Sequence, residues 1–482
     1  MNYRMTAYIL GQIAILEAIL LIPSFGIALG YGESATYLAF GITLVALLAL
    51  GIPLVLKKPV KSTFHARGGF LVVAIAWIQL SLFGSLPFVI SGAIPNFIDA
   101  LFESVSAFTT TGASILIDPT TLPYSLAFWA LTSQWIGGMG ILVFVVAIIP
   151  KNDPAAVHLI RAESPGPQFG KLVSKLKFSA RILYSIYIAI TLLLIGLLLC
   201  GGVSLFDSIT LAFGTASTGG YSFHPTSVAS FNNLYVEIVI SIFMVIFSVN
   251  FNLFFFILIG HFKQAIKNEE LRWLFSIFFV STLAISISNF AGGIYSSFAD
   301  SLRYSSFQVI SVGSTSGFTT ADFSKWTGFS QAILLILMFI GGSSGSAAGG
   351  FKVSRLIIML KTCLCDIRKT ISPRSTTSVK MDGKLIPPAL TASVSNYFGM
   401  YIIIILVSTL LISLVSNFNL FANFSSVVSA TNNIGPAIGI NELVSYANFP
   451  QFAKFILTLD MLIGRLEILP ILLLFYPKAY RP

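Results

Sequence analysis

The stretch Thr109-Thr110-Thr111-Gly112-Ala113-Ser114 follows a mainly apolar segment, 99–108, that is too short to cross a bilayer. Polar, glycine-bearing stretches of the same kind occur three more times along the chain. They are Ser217-Thr218-Gly219-Gly220-Tyr221-Ser222, Ser314-Thr315-Ser316-Gly317-Phe318-Thr319 and Asn432-Asn433-Ile434-Gly435-Pro436. These four copies, anchored on Gly112, Gly219, Gly317 and Gly435, predict an internal repeat around which the whole chain is organised.

The composition places the chain in a membrane. Of its 482 residues, 56% are hydrophobic and 10% are charged, whereas a soluble domain has about 25% charged residues. The net charge of +10 does not indicate a nucleic-acid partner, because Lys and Arg concentrate in short links between apolar runs. The cysteines, Cys200, Cys363 and Cys365, provide neither a disulfide framework nor a four-ligand metal set.

The order of apolar runs predicts an N-terminal helix pair followed by four repeated units. The pair, near 5–29 and 36–56, occupies residues 1–67, and its first run lacks a cleavage signature, so it is expected to span the membrane. Each unit has a spanning helix, a half-length helix, a polar loop and a second spanning helix; the units occupy 68–150, 151–262, 263–384 and 385–482. Their spanning helices are predicted at 70–91 and 124–149, 178–200 and 231–260, 273–297 and 326–362, and 392–416 and 450–476. The predicted fold class is an all-α polytopic membrane protein with four pseudo-symmetric repeats around a central pore.

The basic residues predict the orientation of these helices. Links 151–181, 261–272 and 352–384 carry six, three and eight Lys or Arg residues. The segments that flank the half-length helices carry only Arg303, Lys325 and Lys454. Because cytoplasmic loops are enriched in Lys and Arg, the N-terminus and the links between units are expected to face the cytoplasm.

The half-length helices are expected to stabilise a cation. Asp99, Asp207 and Asp300 lie at or near the starts of three of them, where a carboxylate caps free N–H groups. Asn419 and Asn423 take that place in the fourth unit. The C-terminal end of a helix carries roughly half an elementary negative charge, so four converging ends would favour a desolvated cation.

The polar loops have the residues that a cation filter needs. Backbone carbonyls replace the water of an ion when several of them point at one axis, and such a backbone needs dihedral angles that glycine tolerates best. One loop alone would be interpreted as an ordinary turn or a helix-packing glycine, but four copies favour a filter. The candidate ion-binding residues are Thr110, Thr111, Gly112, Thr218, Gly219, Thr315, Ser316, Gly317, Asn433, Ile434 and Gly435.

Several motifs resemble the membrane subunit of the bacterial Trk potassium uptake system, of the TrkH/TrkG type. They are the run from Asp99 to Ser114, Gln134-Trp-Ile-Gly-Gly-Met-Gly140, Phe307-Gln308-Val309 before Gly317-Phe-Thr-Thr-Ala-Asp322-Phe, Asn432-Asn-Ile-Gly-Pro436 and Gly464-Arg465-Leu-Glu467. The resemblance covers essentially the whole chain, including the N-terminal helix pair that shorter Ktr-type relatives lack. It implies potassium uptake through a channel-like pore in the bacterial cell membrane, with one glycine of each repeat lining the filter.

The same resemblance implies the substrate and the partners. Gly112, where sodium-preferring relatives often have serine, implies that potassium is the transported ion, and no tightly bound cofactor is expected. Ile434 departs from the Thr or Ser expected before a filter glycine. The implied partners are the lipid bilayer, a second copy of the chain in a homodimer, and a cytosolic nucleotide-binding Trk subunit docked on the basic links. No nucleic-acid partner is expected.

The run from Trp326 to Thr362 is much longer than the roughly 20 residues that cross a bilayer. Its centre, 341–350, has two interpretations. Glycines four residues apart would suit a helix-packing face, whereas the excess length favours a broken helix whose loop crosses the pore. In Trk-like proteins this segment is an intramembrane gating loop. The candidate gate residues are Gly341, Gly342, Ser343, Ser344, Gly345, Ser346, Gly349, Gly350 and Arg465.

Arg465 lies within the last predicted span, where an arginine costs at least ~2.5 kcal/mol. The sequence leaves two roles open for Arg465: an ion pair with Asp460 or Glu467, and a role in the pore. In the family the matching arginine faces the conduction path.

A transporter that couples potassium to protons or sodium is the alternative function, and it would need an intramembrane carboxylate. The candidates for that carboxylate are Glu17, Glu103, Glu237 and Asp460. A membrane enzyme is disfavoured because the sequence has no catalytic constellation.

Overall fold

The computed structural model describes residues 3–56, 66–140, 176–374, 377–439 and 446–480. Within these ranges the chain is helical apart from loops and one short hairpin. In the hairpin, β1 (Lys380–Met381) pairs antiparallel with β2 (Lys384–Leu385). Among the described residues, six helices are long and apolar enough to cross a membrane. The predicted all-α polytopic fold class is confirmed.

The N-terminal pair, α1 (Tyr3–Gly30) and α2 (Ser34–Leu56), forms a close antiparallel hairpin. An added Cβ on Gly11 would lie 3.0 Å from the carbonyl oxygen of Gly51, and one on Gly51 would lie 2.9 Å from that of Gly11. Such small residues let two membrane helices approach each other. At the turn, Glu33 accepts a hydrogen bond from Ser125, which attaches the hairpin to the first repeat.

Four sets of helices follow, in the predicted order. The first set is α3 (Ala66–Ile90), α4 (Phe97–Phe108) and α5 (Tyr124–Met139). The second is α6 (Leu176–Cys200), α7 (Leu205–Ala216), α8 (Leu234–Ser248) and α9 (Phe251–Leu258), before the short α10 (Phe262–Lys267). The third is α11 (Glu269–Ala291), α12 (Phe298–Gly313), α13 (Gly328–Ile340) and α14 (Val353–Ile371). The fourth is α15 (Pro388–Ser413), α16 (Leu420–Thr431), α17 (Gln451–Arg465) and α18 (Leu469–Leu474).

Besides the run 326–362, whose break is described below, two predicted spans are not continuous. The span predicted at 231–260 is bent by 93° between α8 and α9, and the span predicted at 450–476 is interrupted between α17 and α18. Glu467 and Ile468 at the second interruption have φ of 59° and 64°. No Pro or Gly lies between α8 and α9 to announce the first bend. The basic segments 57–65 and 151–175, and the predicted end of α5 near 149, lie outside the described residues.

The residues that cap the half-length helices are not the predicted aspartates. The N-cap residues are Asn96, Ser204, Ser297 and Asn419, each of which accepts a hydrogen bond from a backbone N–H of the first turn. Asp99, Asp207 and Asp300 lie three positions later, inside the first turn, where a carboxylate still interacts favourably with the helix dipole. The cap preference for Ser and Asn explains this spacing.

Candidate functional site: a four-strand ring above an intramembrane loop

Each half-length helix ends in the same backbone reversal. The first residue of the reversal is left-handed, with φ of 56° at Thr110, 54° at Thr218, 57° at Thr315 and 54° at Asn433. Two residues later comes a glycine with positive φ, and these glycines are Gly112, Gly220, Gly317 and Gly435. The N–H of the residue between them donates back to the carbonyl of the half-helix, at 2.8–3.0 Å in all four copies. We call the resulting three-residue segments the filter strands.

This geometry corrects the sequence alignment of the second copy by one residue. Gly219 does not have positive φ and occupies the middle position, which Thr111, Ser316 and Ile434 occupy in the other strands. Gly220 is therefore the equivalent of Gly112. The middle position carries a hydroxyl in only two of the four strands, so Ile434 is not the single departure that the sequence indicated.

The four filter strands gather around one axis. Each strand's positive-φ glycine lies against a carbonyl oxygen of the next repeat, and the fourth strand returns to the first. The distances from an added Cβ to that oxygen are 1.7 Å for Gly112 to Gly219, 1.8 Å for Gly220 to Ser316, 2.0 Å for Gly317 to Ile434, and 2.7 Å for Gly435 to Thr111. No side chain fits at such distances, so the ring requires glycine at all four positions for its packing as well as for its dihedral angles.

Buried hydrogen bonds hold the strands from behind. Glu103, on the half-helix of the first repeat, accepts from the Ser114 hydroxyl at 2.9 Å and from the Ile115 N–H at 3.1 Å. Ser311 donates to the carbonyl of Phe318 at 2.6 Å in the third repeat. These bonds fix the backbone that follows the glycine in the first and third strands.

A cavity of about 220 Å³ opens on one side of the ring. All four positive-φ glycines line it, together with the acidic side chain of Asp322 and the ring of His224. Glu17, Glu103, Glu237 and Asp460 are not among its lining residues. Glu237 instead forms a bidentate ion pair with Arg303, and Asp460 accepts a hydrogen bond from Ser408.

On the other side of the ring lies the segment between α13 and α14, which we call the gate loop (residues 341–352). The helix ends at Ile340 and resumes at Val353, with positive φ at Gly341, Gly345 and Gly350. The helix-packing interpretation is wrong, because glycines in an irregular backbone form no helix face. The predicted break in the helix is present.

The gate loop pairs with the bend in the second repeat. The N–H of Ser343 donates to the carbonyl of Ser248 at 3.0 Å, and the N–H of Phe251 donates to the carbonyl of Gly345 at 3.0 Å. The N–H of Ala347 donates to the carbonyl of Phe247 at 3.3 Å. The backbone groups that the bend frees are thus satisfied by a different repeat, which explains why local sequence did not predict the bend.

Arg465 connects the gate loop to the first repeat. Its guanidinium donates to the carbonyl of Ala347 at 2.9 Å, to that of Gly138 at 3.0 Å, and to that of Gly137. Glu467 pairs with Arg355 at 2.5 Å. The gate loop therefore contacts the second repeat directly. It is connected to the first repeat through Arg465, which belongs to the fourth repeat, and these contacts place the loop centrally beneath the ring.

Glu270 and Gly137 have roles that the sequence did not indicate. Glu270, at the start of α11, accepts from the N–H groups of Ser344 and Ser354 at 2.7 and 3.1 Å and holds the gate loop. Gly137 lies so close to the half-helix of its own repeat that an added Cβ would be 1.9 Å from the carbonyl of Phe108. No sequence pattern around Glu270 indicated its role. Gly137 and Gly138 belong to the motif Gln134-Trp-Ile-Gly-Gly-Met-Gly140, but the motif alone did not show that Gly137 packs against the half-length helix.

A polytopic helical membrane protein with a four-strand ring between an open cavity and an intramembrane loop has the architecture of a membrane transport protein. Residues 37–480 match the family model of the TrkH cation transport proteins, and the chain belongs to this family. It is 34% identical to the Trk system potassium uptake protein TrkH of Escherichia coli and 32% identical to that of Halomonas elongata, over the whole of each chain. The crystal structure of the potassium transporter TrkH from Vibrio parahaemolyticus superposes with a TM-score of 0.90 at 30% identity, covering both chains fully. Since these relatives are transport proteins, the chain is not an enzyme.

Proposed function

We propose that the chain takes up potassium across the bacterial cell membrane through a pore whose selectivity filter is the ring of four strands. The observation that supports this proposal most strongly is the closed ring of contacts, in which the positive-φ glycine of each strand lies against a carbonyl oxygen of the next repeat. The names of the relatives, which are potassium uptake proteins, support potassium as the substrate.

The filter works by replacing the hydration of the ion. Moving a monovalent cation into a low-dielectric interior costs on the order of tens of kcal/mol unless oxygen atoms replace its water. Four strands supply carbonyl oxygens at the negative ends of four half-helices. The proposed potassium-binding residues are Thr110, Thr111, Gly112, Thr218, Gly219, Gly220, Thr315, Ser316, Gly317, Asn433, Ile434 and Gly435.

The gate loop and Arg465 form the proposed gate. The loop lies beneath the ring, and a guanidinium held there adds positive charge to the path of a cation. Movement of the loop away from the axis would remove the backbone obstruction, and movement of Arg465 away from Gly137 and Gly138 would remove the charge. Gly341, Gly342, Ser343, Ser344, Gly345, Ser346, Gly349 and Gly350 are the proposed moving residues.

The assembly is proposed from the charge distribution and the family. The repeats are assigned to 68–150, 151–262, 263–384 and 385–482, after an N-terminal helix pair over 1–67. With the N-terminus and the links in the cytoplasm, the basic segment 352–384 offers a surface for a cytosolic nucleotide-binding Trk subunit through its exposed basic residues, since Lys352 and Arg355 are buried. Two copies of the chain form the membrane unit.

Reconstitution in liposomes tests the proposal. Purified protein should carry current that reverses at the potassium equilibrium potential and is insensitive to sodium and proton gradients. A reversal potential that follows either gradient would instead support coupled transport. Absence of potassium flux from correctly folded protein, judged by a monodisperse chromatographic peak, would contradict the proposed function.

A further inference from the structure

We propose that Thr315 couples the gate loop to the filter, so that the loop both obstructs the pore and holds the third filter strand. Thr315 is a positioning residue in this scheme. The inference rests on the proposed function of the ring and the loop, and goes beyond it by joining the two into one cooperative unit.

A single hydrogen bond makes the connection. The backbone N–H of Gly349, in the gate loop, donates to the side-chain oxygen of Thr315 at 2.7 Å, and Thr315 is fully buried. The loop also lies close to the start of the fourth strand, because an added Cβ on Gly349 would lie 2.2 Å from the carbonyl oxygen of Asn432 and 3.2 Å from the Cβ of Asn433. The gate loop thus lies directly against the inner ends of two filter strands.

The equivalent residues of the other strands have different contacts. The Thr218 hydroxyl donates to the adjacent carbonyl of Ser217 at 2.6 Å, and the Asn433 amide donates to Thr111 and to the carbonyl of Met461. The side-chain oxygen of Thr110 has no hydrogen-bond partner within the described ranges. Thr110 and Thr218 nevertheless have the same left-handed φ as Thr315. The bond from Gly349 is therefore not needed to build a filter strand.

The bond links the position of the gate loop to the conformation of the third filter strand. If the loop leaves the pore, the Thr315 oxygen loses its donor and the third strand loses a restraint. By thermodynamic reciprocity, whatever strengthens the bond favours the obstructed conformation, and whatever changes the third strand changes the position of the loop. A buried hydrogen bond of ordinary net strength corresponds to about a fivefold change in the ratio of open to closed protein.

Single-channel recording of the full-length protein in planar bilayers tests the coupling. Thr315→Val keeps the shape of the side chain and removes the acceptor, so the open-to-closed ratio should rise about fivefold. Thr315→Ser keeps the acceptor and should close more readily than Thr315→Val. Thr110→Val and Thr218→Val change matching filter positions whose hydroxyl groups make no hydrogen bond to the described residues of the loop; they are expected to alter conduction without raising this ratio. An equal rise in all three valine variants would overturn the inference.

A second variant separates coupling from general loosening of the filter. In an Arg465→Ala background the loop has already lost its connection to the first repeat, so adding Thr315→Val should raise the ratio by less than it does alone. Full additivity would overturn the coupling. If Thr315→Val does not fold, Thr315→Ala removes the same acceptor with a smaller side chain. If the wild-type protein conducts and Thr315→Val has an unchanged open-to-closed ratio, this inference is wrong and the proposed function is unaffected. If the wild-type protein shows no flux, the proposed function itself is wrong.

Discussion

The ring of filter strands and the layer beneath it differ in how they use the fourfold repeat. In the ring, every repeat has the same reversal, a positive φ at the same two positions, and a glycine that lies against a carbonyl oxygen of the next repeat. Beneath it, each repeat that the structure describes there is different: the second is bent by 93°, the third contains the gate loop, and the fourth is interrupted after Arg465. An ion surrounded by oxygen atoms requires similar ligands on all sides, whereas one obstruction is sufficient to close a pore. Under the proposed function, symmetry is retained where the ion would be held and lost where its path would be controlled.

The largest effect is expected from breaking the symmetric layer. Gly112→Ala places a methyl group 1.7 Å from the carbonyl oxygen of Gly219 and forces a side chain into a positive φ. Potassium flux into liposomes should fall to background. Gly399→Ala is the matched control, since nothing lies within 4 Å of an added Cβ there. Normal selective flux in Gly112→Ala would show that the ring does not hold the ion.

The register of the second strand gives the next prediction. Gly220→Ala should reduce potassium selectivity more than Gly219→Ala, because Gly220 has φ of 62° and faces the Ser316 carbonyl, whereas a Cβ on Gly219 meets mainly the Gln134 side chain. The measurement is the potassium-to-sodium permeability ratio of both variants. The opposite ranking would restore Gly219 as the equivalent of Gly112.

The asymmetric layer should respond in the opposite direction. Arg465→Ala removes the hydrogen bonds to Ala347, Gly137 and Gly138 together with a positive charge, so cation flux should increase several-fold while selectivity is retained. Removal of residues 343–349 should likewise give a pore that is no longer regulated. Unchanged gating in either variant, measured as open probability, would mean that the loop is not the gate.

A smaller effect is expected behind the ring. Glu103→Gln keeps one acceptor of the two that serve Ser114 and Ile115, so the first strand is weakened but not released. The potassium-to-sodium permeability ratio should fall by about twofold to fivefold, the equivalent of one partly lost buried hydrogen bond. Glu103→Ala, which removes both acceptors, should have the larger effect; equal ratios in the two variants would contradict this support role.

Much of the fold followed from patterns that are local in sequence. Apolar runs of spanning length, half-length runs before polar loops and the positions of Lys and Arg each depend on residues close together in the chain. The break at 341–350 was recognisable because the run was too long and rich in small residues. The bend at Val249 was not, because its stabilising bonds come from the loop of another repeat.

The sequence by itself determined that this chain lies in a membrane, that it repeats a loop-bearing unit four times, and that glycine is placed where the backbone must reverse. The tertiary structure decided which glycine of the second copy joins the ring, which groups Arg465 binds, and that the gate loop contacts Thr315. The physical reason is that membrane insertion and helix formation depend on nearby residues, while the ring and the gate depend on backbone groups from different repeats.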